Sequence, residues 1–207
     1  MLIKDAITQN SSFAAQLIKN KELIAIATDT VYGIAVDAYS EEAVNKIYQI
    51  KNRDNKKPIA IFLSSLNQAE ELFSFDDFSY KIAKELLPGK FTLVMKLKDT
   101  RQFLLAKNLN SNNDSFIGFR FVENNFINDL ISKLGNPIAV TSANKSGQTA
   151  ANSCQKVCEY FTSKELSAIF QNDSLTSNDP STVIKISNQT IELIRQGSDF
   201  EKLKRFL

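Results

Sequence analysis

The stretch Ile138-Ala-Val-Thr-Ser-Ala-Asn-Lys-Ser-Gly147 decides the fold. Its first part, Ile138 to Thr141, reads as a short apolar strand, and the remainder is a run of hydroxyl, amide and small residues. An apolar strand that runs straight out into such a cluster is how open α/β sheets place ligands, at strand ends. Small residues let backbone amides approach a ligand, and Ser142, Asn144 and Ser146 offer groups suited to phosphate or ribose. The Gly-x-x-x-x-Gly-Lys-Ser/Thr order of a Walker A loop is missing, and a plain Ser/Asn-rich turn fits the segment equally well.

Working outward, Gly135-Asn-Pro137 stops a helix marked by Phe126, Ile127, Leu130, Ile131 and Leu134. Phe116 to Phe121, Phe91 to Leu97 and Pro58 to Leu63 read as strands, with helical stretches at Ala69 to Phe73 and Phe78 to Leu87. Ser40-Glu-Glu42 opens a helix that runs to about Lys51, with Ala43, Val44, Ile47 and Ile50 on one face. Before it come a short helix, Ser12 to Lys19, and a strand, Leu23 to Ala27. After Gly147 a helix holds Cys154 and Cys158, a hairpin joins Thr182 to Ile186 with Ile191 to Arg195 across Asn188, and a short basic helix ends the chain. Strands and helices interleaved in this way predict an α/β fold, a mixed sheet covered by helices. With Gly 6 and Pro 4 there is little material for a linker, so residues 1–207 read as a single domain.

Composition narrows the chemistry. The 207 residues are 43% hydrophobic and 23% charged, within the range of ordinary globular proteins. The chain has no histidine, which excludes a Ser-His-Asp or Cys-His arrangement, an imidazole general base and any His-containing metal site. Lys plus Arg is 25 against 23 for Asp plus Glu; a net charge of +2 gives no overall pull toward nucleic acid or acidic lipid, so any anion site must be local. Two cysteines with no further Cys or His cannot complete a tetrahedral zinc site and read as plain thiols. The N-terminal residues lack a basic region followed by an apolar one, and no apolar run is long enough to span a bilayer, so the expectation is a cytoplasmic protein with no membrane partner.

Three further segments share the pattern of an element running out into polar residues. Thr28-Asp-Thr-Val-Tyr-Gly33 sets hydroxyls and a glycine turn at a strand end, where they could hold a ligand or simply cap the turn. Lys51-Asn-Arg53, with Lys56 and Lys57 behind, ends a helix. The macrodipole accounts for Lys51, but a guanidinium beside several ammonium groups also suits a di- or triphosphate. Asp179-Pro-Ser-Thr-Val183 and Ile194-Arg-Gln-Gly197 place a hydroxyl pair at the start of one strand and an arginine at the end of the next.

In order and spacing, these segments, together with Lys57-Pro-Ile, Leu87-Pro-Gly-Lys-Phe-Thr-Leu-Val and Gly118-Phe-Arg, resemble the YrdC/TsaC family of threonylcarbamoyl-AMP synthases, from about Leu23 to Gly197. The resemblance implies a YrdC-like twisted open sheet, parallel and antiparallel, with a concave ligand-binding cavity. It is to the short bacterial form, without a C-terminal domain. The implied activity is adenylyl transfer: L-threonine, bicarbonate or CO2 and ATP give threonylcarbamoyl-AMP and pyrophosphate for t6A modification of tRNA. Such chemistry needs no protein nucleophile, in keeping with the missing histidine, and magnesium arrives with ATP rather than in a metal site of the protein.

The resemblance assigns Lys51 and Arg53 as catalytic residues on the phosphates and carbamate, and Lys57, Ser142, Asn144 and Arg195 to ATP. It assigns Thr30, Tyr32, Arg120, Thr141 and Ser181 to threonine. Implied partners are weakly bound tRNA and a downstream t6A threonylcarbamoyltransferase complex. Three positions depart from the family pattern: Asp54 and Lys90 replace prolines, and Phe62 stands where some members have a histidine near threonine. The alternatives are a non-catalytic double-stranded RNA or tRNA module, which the small net charge disfavours, and the carbamoyl-transfer domain of hydrogenase-maturation proteins, whose zinc-finger cysteines are missing.

Overall fold

The computed structural model describes residues 1–101, 104–110, 115–177 and 179–206. Its strands are β1 (Leu2–Asp5), β2 (Ile24–Ile26), β3 (Gly33–Asp37), β4 (Ala60–Phe62), β5 (Phe91–Lys96), β6 (Phe116–Arg120), β7 (Ile138–Ser142), β8 (Ala168–Gln171), β9 (Thr182–Ser187) and β10 (Thr190–Arg195). The helices are α1 (Thr8–Lys19), α2 (Glu41–Lys51), α3 (Leu66–Leu72), α4 (Asp77–Leu86), α5 (Asn125–Leu134) and α6 (Cys154–Tyr160). The strands join in one sheet of order β1-β8-β2-β3-β7-β4-β6-β5-β9-β10. Pairing is mixed, as expected: β1, β8 and β2 run parallel, as do β4 with β6 and β5 with β9, and the remaining neighbours are antiparallel.

Helix ends obey local chemistry. Ser40 caps α2 by accepting from the Ala43 N–H, and Asn52 closes it in the left-handed region. Asn124 caps α5 in the same way, and Gly135, at φ 81°, stops it. Four differences from the sequence reading stand out. Helix α1 begins at Thr8 rather than Ser12, behind an Ile7 cap position that makes no side-chain hydrogen bond and so leaves no signal. The chain end, Phe200–Phe206, is 3-10 rather than α-helical. Strand β3 comes immediately after the Thr28–Gly33 loop, and β1 and β8 are four residues each, too short for an alternation to register. The hairpin is as expected, with Asn188 and Gln189 both at positive φ, the geometry of a tight two-residue turn.

The sheet alternation sorts the core into two layers. Ile24, Ile26, Ala35, Ile138 and Val140 face α1 and α5 in one cluster, while Ala25, Ile34, Val36 and Ala139 face the other side, with α2, α3, α4 and α6. Helices α1 and α5 cover only the β1-to-β7 half of their face. Beyond it the same face continues with Ala60, Thr92, Val94, Gly118, Val183 and Lys185, which form the floor of a cavity, while the intervening Ile61, Leu93, Phe119 and Ile184 are packed in the opposite core.

Candidate functional site

The cavity holds about 600 Å³, the range of small-molecule and cofactor sites. Its floor is low because its residues are small. A Cβ on Gly118 would lie 3.1 Å from Thr92 Cγ2 and 3.4 Å from Ala60 Cβ. At the back wall a Cβ on Gly33 would come within 2.5 Å of Val140 Cγ1, so glycine lets β3 approach β7. Of the eleven residues assigned from sequence, nine line the cavity: Thr30, Tyr32, Arg53, Arg120, Thr141, Ser142, Asn144, Ser181 and Arg195. Among the described lining residues are four cations, Arg53, Arg120, Lys185 and Arg195, and no carboxylate.

Arg120 forms one end. It is 3% exposed, and its Nη2 donates to both oxygens of Asp29 at 2.7 and 2.8 Å and to Gly89 O at 2.9 Å. Nη1 donates to Thr30 Oγ1 at 3.3 Å, and the Phe62 ring lies 5.3 Å from the guanidinium carbon. Burial pushes the Arg120 pKa down, and the Asp29 charge and hydrogen bonds push it back up. Its ion pair is therefore with Asp29, not with the acidic neighbour Glu123, and one face of the guanidinium is already neutralised before any ligand carboxylate arrives. The buried Nε has no partner among the described residues. Phe62, one of the departures, is a wall of this end.

Thr28 and Thr30 serve both readings of their loop. Thr28 Oγ1 donates to Val31 O at 2.7 Å and accepts from the Thr30 N–H at 3.2 Å, so it caps the turn, yet both threonines line the cavity. Tyr32 is among the lining residues, but its hydroxyl is engaged by the chain. Its hydroxyl donates to Asp173 Oδ1, and burial together with that bond raises its pKa. Ser181 Oγ pairs with Thr92 Oγ1 at 2.9 Å, and Arg195 grips Ser181 O through Nη2 at 2.8 Å and Nε at 3.1 Å.

Lys51 lies apart from the lining residues. The expectation placed it on the phosphates, but it is 1% exposed and does not line the cavity. Its ammonium donates to Ser142 O, to Asn144 O at 2.7 Å and to Asn144 Oδ1 at 3.1 Å, which uses all three protons. Burial, with the nearby charges of Arg53 and Lys145, lowers its pKa from 10.5 to about 7. Below that value the ammonium satisfies all three acceptors, and above it the neutral amine keeps two protons and leaves one acceptor unmet. These bonds tie Lys51 to the loop after β7. Asn144 is part of the same knot: its Oδ1 also accepts from Ser142 Oγ at 2.6 Å, and its Nδ2 donates to Gln148 O at 2.7 Å.

Lys57 is the other assigned residue that lies outside the lining. It is exposed; its carbonyl accepts from Arg53 Nε at 3.3 Å, while Arg53 Nη2 donates to Pro58 O at 3.0 Å. That loop aims Arg53 into the cavity through backbone acceptors. Asp54, the second departure, turns its Oδ1 to the Lys56 N–H at 2.9 Å. Lys90, the third, contributes its carbonyl to the Thr182 N–H at 3.0 Å. Sequence reasoning missed Asp29 as the Arg120 partner, and it missed Thr92, Phe116 and Lys185. The alternation of Thr182–Ser187, buried at every second residue, is the signal that could have found Lys185.

Among the described residues no group of three or more His, Cys, Asp or Glu is placed to hold a metal ion, and no helix is long and apolar enough to cross a membrane.

Comparison with known proteins agrees with this geometry. The Sua5/YciO/YrdC family model, described as telomere recombination, matches residues 16–197. A threonylcarbamoyl-AMP synthase of Vibrio campbellii is 25% identical over 195 residues, which cover 91% of this chain and 100% of that protein. One from Pyrococcus abyssi is 30% identical over 185 residues, 89% of this chain and 53% of the relative, so the chain spans about half the length of that longer form. The crystal structure of Pyrococcus abyssi Sua5 complexed with L-threonine superposes at TM-score 0.88 with 26% identity, covering 100% of this chain and 61% of the other. A matched family model over most of its length, on the same fold, means that the chain belongs to the Sua5/YciO/YrdC family.

Proposed function

We propose that this protein is a threonylcarbamoyl-AMP synthase that condenses L-threonine, bicarbonate or CO2 and ATP into L-threonylcarbamoyladenylate with release of pyrophosphate. The observation that carries the reading is the composition of the cavity wall: cationic and hydroxyl groups gathered in one hollow, with no acidic side chain among the described lining residues. That wall suits a substrate set made of a triphosphate, a carboxylate and a carbamate. Relatives named for the activity, and a neighbour complexed with L-threonine, support it.

In this reading threonine binds at the Arg120 end, its carboxylate beside the guanidinium and its hydroxyl near Thr30, Thr141 and Ser181. Bicarbonate gives CO2 by losing hydroxide, the threonine amine attacks the CO2 carbon, and the proton it releases joins the hydroxide as water. A carbamate oxygen then attacks the α-phosphorus, and the bond to the β-phosphate oxygen breaks as pyrophosphate leaves. Arg53 and Arg195 face the phosphates and offset charge that builds there. The protein supplies juxtaposition, for which about 7–11 kcal/mol of barrier is available from effective molarity, and fixed charge. The lining offers hydroxyl and amide oxygens, which suits a magnesium ion carried in on ATP; its contribution is to neutralise phosphate charge. The product passes to a downstream t6A threonylcarbamoyltransferase complex, with weak tRNA contact at most, given the net charge of +2. The test is pyrophosphate release from ATP and bicarbonate by purified protein. Release that depends on L-threonine supports the assignment, and release indifferent to threonine, or none, refutes it.

A further inference from the structure

We propose that Lys185 is a phosphate-binding residue of the nucleotide site, a third cation on the triphosphate in addition to Arg53 and Arg195. The proposal rests on the threonylcarbamoyl-AMP synthase reading and extends it to a residue that neither the motifs nor the family resemblance assigns.

Charge in the cavity is scarcer than the sequence suggests. Lys51 lies behind the wall with its three protons committed to Ser142 and Asn144, Lys57 faces outward, and Arg120 is paired with Asp29 at 2.7 Å. Two guanidinium groups, Arg53 and Arg195, remain, and both are held by backbone carbonyls. A triphosphate, a carboxylate and a carbamate together exceed what those two neutralise. Lys185 is the remaining cation among the described lining residues.

Its position comes from register. Lys185 on β9 pairs with Val94 on β5, and Val94 with Gly118 on β6, so the ammonium stands at the end of the row in which the floor is lowest. Thr92 and Arg120 lie one row away, about 7 Å along the strands. A chain of contacts instead ties Lys185 to Arg53. Arg53 donates to Pro58 O, the adjacent Ile59 N–H donates to Leu109 O, Asn110 Nδ2 donates to Phe116 O at 2.8 Å, and Lys185 Nζ sits 4.2 Å from the Phe116 ring centroid. Lys185 is therefore toward the same end of the strands as Phe116 and the Pro58 carbonyl that holds Arg53, one row from the Thr92–Arg120 row. Its register partner across β9 and β10 is Glu192, which makes no ion pair with it, and the contact its ammonium makes among the described residues is with the Phe116 ring. A cation–π contact at a partly open site is weak, whereas a phosphate oxygen forms a charge-assisted hydrogen bond, so an arriving phosphate draws the ammonium off the ring.

The experiment is calorimetric titration of wild type, Lys185→Gln and Lys185→Arg with ATP, AMP and L-threonine, after thermal unfolding confirms that each variant folds. Lys185→Gln should weaken ATP roughly tenfold, AMP far less and threonine not at all, and Lys185→Arg should restore most of the loss. Unchanged ATP affinity, an equal loss for ATP and AMP, or a loss confined to threonine overturns the proposal. Wild type that binds ATP in a Lys185-dependent way yet releases no threonine-dependent pyrophosphate sinks the functional reading and leaves this one standing. Turnover with an ATP KM indifferent to Lys185→Gln does the reverse, and wild type that binds no ATP ends both.

Discussion

Asp29→Asn is the most informative single change, because it removes a charge and almost no volume. In the native protein the Asp29 carboxylate faces Arg120 Nη2 through both oxygens, at 2.7 and 2.8 Å, and the two side chains are 16% and 4% exposed. Asparagine keeps one acceptor and turns an amide N–H toward the guanidinium. The buried positive charge is then left with Gly89 O, Thr30 Oγ1 and the Phe62 ring, all of them neutral. Breaking a buried pair by removing one partner costs about 3–5 kcal/mol, and for a chain of this length each kcal/mol lowers Tm by about 2–4 °C. The variant should therefore unfold roughly 6–20 °C below wild type. Replacing both charges, Asp29→Leu with Arg120→Met, should recover most of that stability, because the cost lies in the orphaned guanidinium. L-threonine should then separate structure from site: its carboxylate replaces the missing charge, so it should raise the Tm of Asp29→Asn more than that of wild type. Scanning calorimetry with and without threonine reads both effects. A Tm within about 2 °C of wild type would mean that water already screens the pair, and the inference from burial would fail.

Arg53→Ala should reduce kcat/KM by about 2–4 kcal/mol of transition-state stabilisation in the pyrophosphate assay with little change in Tm, and wild-type rates would remove it from the site. Lys57→Ala, by contrast, should leave turnover and Tm nearly unchanged, within about 0.5 kcal/mol, because its side chain is exposed and outside the cavity wall. Gly33→Ala should lower stability by about 1–3 kcal/mol in denaturant titrations, since its Cβ would overlap Val140 Cγ1 at 2.5 Å. For Lys51, a pKa lowered from 10.5 to about 7 means that the folded chain holds fewer protons than the unfolded one between those values. Stability should therefore rise with pH across that window, and Lys51→Met should flatten the rise; a slope unchanged by the substitution would place it on other groups.

The parts of the fold legible in the sequence are those whose signal is local. Helix α2 could be read from Ser40 and two glutamates, and α5 from its five buried apolar residues and the Gly135 stop. The Asn188 hairpin and the strands β4, β5, β6 and β7 declare themselves as apolar runs bounded by breakers. Strands β1 and β8 do not, because they exist through each other: Leu2 to Asp5 pairs in parallel with Ala168 to Gln171, a contact that spans most of the chain and leaves no periodicity in either segment. Strand order is invisible for the same reason. Only in three dimensions does the β7 loop come to lie against the C-terminus of α2, where Ser146 N–H donates to Lys51 O and Lys145 Nζ to Ile50 O.

That docking explains why sequence located the site better than it assigned the work inside it. A cation committed to the chain and a cation open to a ligand look alike in a sequence, since both suit an anion. Burial separates them. Lys51 is 1% exposed and meets three oxygens of the chain, so its charge is committed to holding the loop before any phosphate enters. Lys185 comes from a strand that buries Thr182, Ile184 and Ile186 on the side of the opposite core, and it lies on the other, half-buried face with Val183, where its ammonium meets the Phe116 ring. A cation with its full set of oxygen acceptors inside the chain positions structure, and one facing a hollow over a weak partner waits for ligand. The same criterion divides Arg120, paired with Asp29, from Arg53, which bonds to Lys57 O and Pro58 O and feels the Asp54 charge without an ion pair to it. Uncharged acceptors orient a guanidinium, whereas a bonded carboxylate also lowers its attraction for the next anion, which is the physical ground for proposing the triphosphate at Arg53 and the amino-acid carboxylate at Arg120.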